Sequence, residues 1–418
     1  MRVLLMSYGS RGDVEPPVGL AVALRELGAE VRVCAPPDFA GLLEEVAVPL
    51  TPVGWPIRAL ATGAVPGKAR ATLPDIAAAL TASAHEAVSA AAGGCAAVVA
   101  TGSFPAAAGA RAAAERLGIP YAFASFSPSF LPSPHHPPAV WPGQAVPAGE
   151  TDNRVLWELN AEHMDALFGG IVNTHRASVG LPPVERVRDH VFTGHPFLAA
   201  DPVLGPWRAT ADPDVAQTGA WTRRDGRPLP AEVEAFLAAG EEPVYVGFGS
   251  MPMRGASAEE LSRAVVGAAR ARGRRVLLGS GWAGLAPVDG RDDCLVVGEV
   301  NQQELFRRVA AVVHHGGAGT TTTAARAGAP QVLVPQVADQ PYWAARVAAL
   351  GIGVAHDGPT PTSDSLSVAL DAALAPGVRA RAGAVAGTIR TDGAAVAAAL
   401  LLDAAERGEP VTGHLVTG

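Results

Sequence analysis

Residues 311–323 read AVVHHGGAGTTTT, and this stretch decides the fold of the second half of the chain. The apolar run at residues 310–313 predicts a buried strand, and the threonines open a helix predicted at residues 320–327. A glycine-rich turn between a strand and a helix collects unpaired amide groups and the positive end of the helix dipole at one point. The stretch therefore predicts an anion site, although an ordinary turn fits a lone GGxG pattern equally well.

Two residue types beside this turn favour a phosphate ligand over a plain connection. His315 can hydrogen-bond a phosphate oxygen, and Thr320 and Thr321 place hydroxyl groups on the first turn of the helix. A substrate that carries a diphosphate is the leading hypothesis from these residues.

The bulk composition describes a globular chain of two or three domains. The 418 residues are 49% apolar, and the three widely spaced cysteines fit neither a disulfide framework nor a zinc cluster. The first residues hold too short an apolar run for a signal peptide, and no run of roughly 18 apolar residues occurs. The net charge of −8 argues against nucleic-acid binding. We therefore expect a cytoplasmic protein with no stable membrane association and, since no coiled-coil pattern occurs, a monomer.

Apolar strands and helices alternate along both halves of the chain. In the first half, strands are predicted at residues 3–6, 31–34, 97–101 and 121–125, and helices at residues 16–27, 73–92, 106–117 and 153–168. In the second half, strands are predicted at residues 244–247, 275–279, 295–297, 310–313 and 331–334, and helices at residues 257–272, 302–308, 320–327, 342–350 and 363–374 and onward to 407. Strand–helix–strand units with short connections form parallel sheets, so the pattern predicts two doubly wound Rossmann-like domains.

Composition also predicts where these domains meet. Residues 201–215 are rich in proline and aspartate, as linkers are. We expect an N-terminal domain at residues 1–203, a linker at 204–217, a C-terminal domain at 218–395, and a final helix and tail at 396–418 that packs back on the first domain. Two such domains joined by one linker imply a cleft, and ligands of open α/β sheets bind beyond the carboxyl ends of the strands.

Residues 128–149 interrupt the alternation. The segment combines many prolines with His135, His136 and Trp141, and it is long for a passive connection. One interpretation is a surface loop without a specific role. The other is a wall of a substrate pocket, rich in aromatic and imidazole rings.

Several common chemistries lack their motifs in this sequence. The first strand–helix turn reads GSRGDVEPP rather than GxGxxG, and Cys34 ends the second strand where a dinucleotide-binding domain carries an acidic residue. A P-loop requires GKS or GKT, but the one lysine of the chain is Lys68. The GxSxG elbow of serine hydrolases is also missing. Since HHGG lacks the spacing of a zinc pair and no acidic pair is placed to chelate Mg²⁺, we expect no metal and no cofactor.

The sequence resembles the family 1 inverting glycosyltransferases of GT-B architecture. The motifs that carry the resemblance are GSRGDVEP, the FGS at residues 248–250, GEVNQQELF, HHGGAGTTTTAARAGAP and PQVADQPYWAARV. Within that family the chain is most similar to the bacterial glycosyltransferases of the vancomycin group, over essentially its whole length. The resemblance implies an α/β fold of two doubly wound Rossmann-like domains that face each other across a deep cleft.

The resemblance also implies a role for individual residues. Asp13 falls at the position of the general base. The donor diphosphate is assigned to Ser10, Arg11, Ser250, His315, Gly316, Gly317, Gly319 and Thr320. The donor base is assigned to Val300 and Gln302, and the donor sugar to Asp339 and Gln340. We expect the acceptor to contact Ser103, Phe104, Phe126, His135, His136 and Trp141.

Three positions depart from the pattern of the wider family. Glu299 stands where plant relatives stack a tryptophan on the base, and Thr323 where they bind the ribose with a glutamate. Asp13 replaces the histidine of many relatives, a change shared with the antibiotic and sterol enzymes.

Each assigned residue also has a purely structural interpretation. Asp13 can satisfy backbone donors at the start of a helix, as aspartate commonly does. Asp339 and Gln340 can form a polar helix start before Pro341. His314, next to the assigned His315, is expected to pack in the strand layer.

The leading hypothesis is an enzyme that transfers a sugar from a TDP- or UDP-sugar to a hydroxyl of a glycopeptide antibiotic aglycone or pseudoaglycone. Inversion by direct displacement needs one base for the acceptor hydroxyl, and a diphosphate leaves unprotonated when its growing charge is stabilised. The alternatives are an acceptor of another antibiotic class (macrolide or polyketide), a nucleotide-sugar epimerase of the same architecture, and a non-enzymatic binding protein.

Overall fold

The computed structural model describes residues 1–61, 72–141, 143–192, 194–210, 213–251, 253, 255 and 257–410, which form two compact units. Unit 1 consists of Met1–Asp201, Pro206–Arg223 and Thr391–Gly418. Unit 2 consists of Pro202–Gly205 and Arg224–Arg390. Among the described residues, no helix combines the length and the apolar character that crossing a membrane requires.

Unit 1 is built on a parallel sheet of seven strands. The strands are β1 (Arg2–Tyr8), β2 (Glu30–Ala35), β3 (Leu50–Pro52), β4 (Ala97–Gly102), β5 (Tyr121–Ser125), β6 (Phe197–Leu198) and β7 (Ala216–Gln217). The helices between them are α1 (Arg11–Glu26), α2 (Ala40–Glu45), α3 (Ile57–Ala61), α4 (Leu73–Ala91), α5 (Phe104–Leu117), α6 (Asn153–Ser178) and α7 (Val187–Phe192), with single 3₁₀ turns at Pro37–Phe39 and Pro128–Phe130. The strand order is β3-β2-β1-β4-β5-β6-β7, and the order therefore reverses between β1 and β4.

Unit 2 repeats this plan with six parallel strands. The strands are β8 (Val244–Gly247), β9 (Val276–Gly279), β10 (Cys294–Val297), β11 (Ala311–His314), β12 (Gln331–Leu333) and β13 (Gly353–Ala355). Its helices are α8 (Ala231–Ala238), α9 (Ala258–Arg270), α10 (Gln302–Leu305) with a 3₁₀ turn at Phe306–Arg308, α11 (Ala318–Ala327), α12 (Gln340–Ala349), α13 (Ser363–Ala373) and α14 (Pro376–Ala386). The order β10-β9-β8-β11-β12-β13 reverses between β8 and β11.

The last helix, α15 (Gly393–Arg407), returns to unit 1. Its Ala397 and Leu401 share a buried core with Val18 and Leu24 of α1 and with Trp221. The close approach at the start of α15 depends on glycine, because a Cβ atom at Gly393 would overlap the backbone of Gly219.

The paired sheets confirm the predicted fold class of two Rossmann-like domains. The predicted strand at 121–125 and the predicted strand at 244–247 match β5 and β8 to the residue. Ser257 and Glu260, which have the sequence spacing of a capping box, form one at the start of α9: the Ser257 amide donates to Glu260 Oε2 at 2.8 Å. These agreements follow from local patterns that a short window of sequence contains.

The interval predicted as a linker, residues 204–217, is divided between the two units. Pro202–Gly205 belongs to unit 2 because Arg346 of α12 donates to the carbonyl oxygens of Val203 and Leu204, at 3.1 and 2.9 Å. From Pro206 the chain belongs to unit 1, where it supplies β7. Sequence composition indicates a connection but does not show these long-range contacts.

Several predicted helices have different bounds in the structure, among them two long helices of unit 1. The helix predicted at 16–27 begins instead at Arg11, so Arg11–Asp13 is helical rather than loop. Pro16 and Pro17 therefore lie inside the first two turns of α1. The helix predicted at 153–168 continues to Ser178 as α6.

Replacing Gly109 with alanine is expected to destabilise unit 1. Gly109 lies on α5, and a Cβ atom there would overlap the carbonyl oxygen of Thr81 on α4. Overpacking of this kind costs about 1–3 kcal/mol of unfolding free energy, which urea denaturation can measure.

Gly170→Ala on α6 is the matched control, because that position faces open space. Alanine there should stabilise the protein by up to about 1 kcal/mol through helix propensity. Equal unfolding free energies for the two variants would contradict the close contact between α4 and α5.

Candidate functional site

The loops that follow β8 and β9 are joined by their backbones at the carboxyl edge of the unit 2 sheet. The Trp282 amide donates to the carbonyl oxygen of Gly249 at 2.8 Å. Gly249 and Gly281 both have positive φ values, +55° and +44°. A Cβ atom at Gly281 would lie 2.5 Å from the Gly249 oxygen, so this approach requires glycine. Ser250, assigned to the diphosphate, is partly buried in the same turn.

His315 directly follows β11 and lies beside this turn. A Cβ atom at Gly249 would be 3.7 Å from His315 Cε1. The Nδ1 atom of His315 is buried and has no hydrogen-bond partner. Burial lowers the pKa of His315 to about 4, so the ring is neutral at pH 7. A neutral imidazole at the switch point of an open sheet can hydrogen-bond an oxygen ligand without bringing a charge of its own.

His314, the last residue of β11, is completely buried and has a different role. Its Nδ1 accepts the amide of Gly316 at 3.1 Å, and its Nε2 lies 2.9 Å from Oε1 of Gln331 on β12. Burial and the neighbouring His315 lower the pKa of His314 to about 3. His314 therefore packs in the strand layer and organises the turn from below.

The first turn of α11 supplies the amide groups of the predicted anion site. Helices leave their first amides without intrahelical partners, which here are those of Ala318, Gly319 and Thr320. The amide of Gly316 differs, because it is already donated to His314. The hydroxyl of Thr321 donates to the carbonyl oxygen of Gly317 at 2.9 Å and is therefore used by the helix.

Asp339 and Gln340 lie at the start of α12, close to residues 315–317 between β11 and α11 (the His315 turn). A Cβ atom at Gly316 would be 3.3 Å from the carbonyl oxygen of Gln340. The side-chain Oε1 of Gln340 accepts the amides of Gln336 and Val337, at 2.7 and 3.1 Å, and so fixes its own loop.

The carboxylate of Asp339 is held by an indole. Trp343 Nε1 donates to Asp339 Oδ2 at 2.8 Å, and the ring of Trp343 is buried. Burial raises the pKa of Asp339 to about 6, against the opposing effect of this hydrogen bond. The preceding Ala338 has φ +59°, a strained conformation for a residue other than glycine. Strain of this kind concentrates at functional sites.

Val300 and Gln302, assigned to the donor base, both have contacts inside unit 2. Val300 packs against the apolar cluster that contains Leu277 and Phe306. Gln302 hydrogen-bonds the phenol of Tyr245, whose pKa burial raises to about 12. These contacts position the loop after β10.

Asp13 lies at the carboxyl edge of the unit 1 sheet, where the strand order reverses. It is the third residue of α1, and its Oδ2 accepts the amide of Ser10 at 2.8 Å. The Ser10 hydroxyl lies 3.4 Å from the same oxygen. A Cβ atom at Gly9 would overlap the Asp13 carboxylate, so glycine is required there. The structure thus gives Asp13 the capping role that its sequence position also allows.

Arg11 and Glu15 form one end of a chain of ion pairs. Arg11 Nε lies 3.2 Å from Glu15 Oε2, and Arg223 Nε lies 3.0 Å from Glu15 Oε1. Arg223 also pairs with Glu45 at 3.2 Å. This network ties the residues before unit 2 to α1 and engages the guanidinium that the resemblance assigns to the diphosphate.

Ser103 directly follows β4, which lies next to β1, so Ser103 is at the switch point of the unit 1 sheet. Its amide donates to the carbonyl oxygen of Tyr8 at 2.8 Å, and its Oγ is buried without a hydrogen-bond partner. Gly102, with φ +83°, permits this contact, since a Cβ atom would be 2.5 Å from the Tyr8 oxygen.

Phe104 and Phe126, both assigned to the acceptor, pack against aromatic side chains of unit 1. Phe104 is 2% exposed and packs against Phe168 at a centroid distance of 5.0 Å. It therefore belongs to the apolar core of unit 1. Phe126 is partly buried and meets Trp221 edge-on at 6.1 Å.

The proline-rich segment that contains His135 and His136 packs on α6. His136 lies edge-on to Trp157 and Trp207, at 6.0 and 5.6 Å, and its carbonyl oxygen accepts Trp157 Nε1 at 2.9 Å. Trp141 is partly exposed and meets Phe168 at 6.2 Å. His135 is exposed to solvent. The described residues of this segment, 128–141 and 143–149, are irregular after the first 3₁₀ turn, as the prolines predict.

Sequence reasoning missed Gln331 and Trp343, which hold His314 and Asp339. The available signal for Gln331 was an amide at the start of an otherwise apolar strand, QVLV. Within the described residues, no group of three or more histidine, cysteine, aspartate or glutamate side chains is arranged to hold a metal ion.

Comparison with protein families identifies both halves of the chain. Residues 3–133 match the glycosyltransferase family 28 N-terminal domain, and residues 291–396 match the C-terminal domain of erythromycin biosynthesis protein CIII-like proteins. The glycotransferase of kitacinnamycin has a TM-score of 0.70 at 21% identity and covers 98% of this chain and 99% of its own. The glycosyltransferase VinC, solved with dTDP, has a TM-score of 0.65 at 19% identity over 98% and 100%. These structures show the GT-B fold.

Curated relatives are much more similar in sequence. The vancomycin aglycone glucosyltransferase of Amycolatopsis orientalis is 56% identical over 98% of this chain and 99% of its own length. The dTDP-epi-vancosaminyltransferase of the same organism is 52% identical over the same shares. The chain therefore belongs to the glycosyltransferase family of these vancomycin-group enzymes, and the resemblance inferred from its motifs is confirmed.

Replacing His315 with asparagine is expected to reduce the loss of unfolding free energy at acidic pH. The folded pKa of about 4 lies below the unfolded value of about 6.5. Between these values the unfolded chain binds a proton that the folded chain does not, so lowering the pH through this window destabilises wild type. The loss attributable to His315 is at most about 3 kcal/mol.

Urea unfolding at pH 7 and pH 5 measures this difference. His315→Asn should lose less stability than wild type on acidification. An identical pH dependence in both proteins would show that the ring is not buried in its neutral form.

Proposed function

We propose that this glycosyltransferase moves a sugar, with inversion, from a TDP- or UDP-sugar to a hydroxyl of a glycopeptide antibiotic aglycone or pseudoaglycone. The observation that carries the proposal is the identity of 52–56% over 98% of the chain to relatives named for the vancomycin aglycone and for a dTDP-sugar. A relative named for O-mycaminosyltylonolide is 34% identical, so a glycopeptide acceptor has the stronger support.

The donor diphosphate is assigned to the His315 turn of unit 2. His315 Nδ1 is buried and unpartnered, and the amides of Ala318, Gly319 and Thr320 begin α11 beside it. Neutral donors and a helix dipole stabilise the charge that grows on the leaving diphosphate and need no rearrangement during the reaction. Ser250, in the loop after β8, and Gly317, in the turn after β11, complete this proposed subsite.

The donor sugar is assigned to Asp339. Its carboxylate accepts hydrogen bonds, as sugar hydroxyls require, and the Trp343 indole fixes one of its oxygens. Gln340 contributes by holding the loop in place through the amides of Gln336 and Val337. Val300 and Gln302 are assigned to the nucleotide base.

Asp13 is proposed as the general base that takes the proton of the acceptor hydroxyl. The α1 N-terminus stabilises an ionised carboxylate, which keeps it ready to accept a proton. Direct displacement by the activated hydroxyl then inverts the anomeric carbon, and the diphosphate leaves with the bonding electrons. Ser103 and the partly exposed Trp141 are proposed as acceptor contacts. The reaction as proposed needs neither metal nor cofactor, and the enzyme is proposed to act as a cytoplasmic monomer.

A panel of TDP- and UDP-sugars incubated with glycopeptide aglycones and detected by mass spectrometry tests this function. The expected result is an acceptor that gains one hexosyl mass only when both substrates are present. Interconversion of the sugar without an acceptor would support an epimerase instead. Transfer to macrolide acceptors alone would replace the acceptor class.

Replacing Asp13 with asparagine is expected to lower kcat by about 10² or more, the scale of a lost general base. Asparagine keeps an oxygen that can accept the Ser10 amide, so α1 should remain capped. TDP affinity, measured by calorimetry, should stay at the wild-type value.

Asp75→Asn is the matched control for this variant. Asp75 is also the third residue of its helix, α4, and accepts the Thr72 amide at 3.1 Å in a capping box. Its helix should likewise remain capped, and turnover should stay at the wild-type value. If both variants kept wild-type turnover, Asp13 would have no part in the chemistry.

A further inference from the structure

Gln331 is an unusual residue for its position in unit 2. It begins β12, which is parallel to β11 with Gln331 in register with Val312. The side chain is completely buried, and the neighbouring Val332 and Leu333 are apolar. A buried amide costs stability unless its groups are hydrogen-bonded, so its partners indicate what it does.

The two partners lie on the strand and the helix that flank the His315 turn. Oε1 of Gln331 lies 2.9 Å from His314 Nε2, at the end of β11. Nε2 of Gln331 donates to the carbonyl oxygen of Thr321 on α11 at 3.4 Å. One side chain therefore spans the strand and the helix between which the turn lies.

The hydrogen bonds fix the tautomer of His314. The Gly316 amide can only donate, so His314 Nδ1 must be the unprotonated acceptor at 3.1 Å. The ring proton of the neutral imidazole then lies on Nε2 and is donated to Gln331 Oε1. Gln331 thus selects the one tautomer that can hold Gly316.

Gly316 in turn determines where the ligand-binding groups lie. Its φ of +94° sets the direction in which the chain leaves β11. The next residue, Gly317, is the N-cap of α11, and a Cβ atom there would lie 2.7 Å from His315 Nε2. A change at Gly316 would therefore move both His315 and the first amides of α11.

We propose that Gln331 and His314 are positioning residues that hold the His315 turn in the conformation that binds the donor diphosphate. This inference rests on the proposed function of the turn. The two residues contact no substrate themselves. They act through Gly316, and they reduce the ordering that the turn would otherwise undergo when the diphosphate binds.

Binding of TDP and UDP to the full chain by calorimetry tests the proposal directly. Gln331→Met keeps the side-chain volume and removes the acceptor of the His314 proton. Its TDP affinity should fall about tenfold, the scale of one orienting hydrogen bond. Donor KM should rise by the same factor while kcat changes less, and hydrogen exchange should increase in the peptide that contains Gly316.

Two variants of His314 separate positioning from packing. His314→Ala should lose affinity by about the same factor, whereas the side-chain oxygen of His314→Asn can accept the Gly316 amide in place of Nδ1 and should recover most of it. In the His314→Asn background, adding Gln331→Met should cost little, because the tautomer no longer matters.

Ser262→Ala is the control for a lost buried hydrogen bond in unit 2. Ser262 lies on α9, is 2% exposed and accepts the Ala286 amide at 3.1 Å. It should lower Tm without changing TDP affinity. If Gln331→Met lowered Tm to the same extent and bound TDP like wild type, the positioning role would be overturned while the proposed function stood. If wild type bound neither TDP nor UDP, the proposed function would fail, and the positioning role with it.

Discussion

The reversal of strand order beside one central strand is the constraint on which both units depend. In unit 1 it falls between β1 and β4, and in unit 2 between β8 and β11. Right-handed crossovers from two such strands place their helices on opposite faces of the sheet, so the loops separate and leave an opening. Asp13 and Ser103 lie at this point in one unit, and His315 and the turn at Gly249 in the other. The proposed chemistry is located where a parallel sheet leaves backbone groups accessible.

Adjacent histidines show how tertiary contacts separate residues of one type. His314 ends a strand and is completely buried, and its two ring nitrogens hydrogen-bond Gly316 and Gln331. His315 is one position further, outside the strand, with a buried nitrogen that no protein group satisfies. The first is therefore suited to shape the turn and the second to bind a ligand. Burial keeps both rings neutral, so the proposed binding of a diphosphate relies on hydrogen bonds and the helix dipole rather than on a histidine cation.

The structural and catalytic interpretations of Asp13 are compatible. Its place as the third residue of α1 lets one oxygen cap the Ser10 amide, which fixes the carboxylate at the end of the strand–helix turn. A base must be held in position before it can act, and a helix start provides both the hydrogen bond and a favourable field. Asp339 follows the same principle, because the Trp343 indole orients its carboxylate.

The sequence by itself determined the alternation of strands and helices, the Rossmann-like class of both units, the family and the position of each motif at a strand end. These features depend on short-range periodicity, capping pairs such as Ser257 and Glu260, and glycine-rich turns, all visible within a few residues. Only the tertiary structure decided that β6 and β7 extend the first sheet, that Pro202–Gly205 belongs to unit 2, and that Phe104 is a core residue. It alone also paired Gln331 with His314 and Trp343 with Asp339. These features join residues that are distant in the sequence: the two-residue strands β6 and β7, the hydrogen bonds from Arg346 to Val203 and Leu204, and the hydrogen bonds of Gln331. Local patterns do not relate such residues, because burial and hydrogen-bond partners are set by the packing of whole elements.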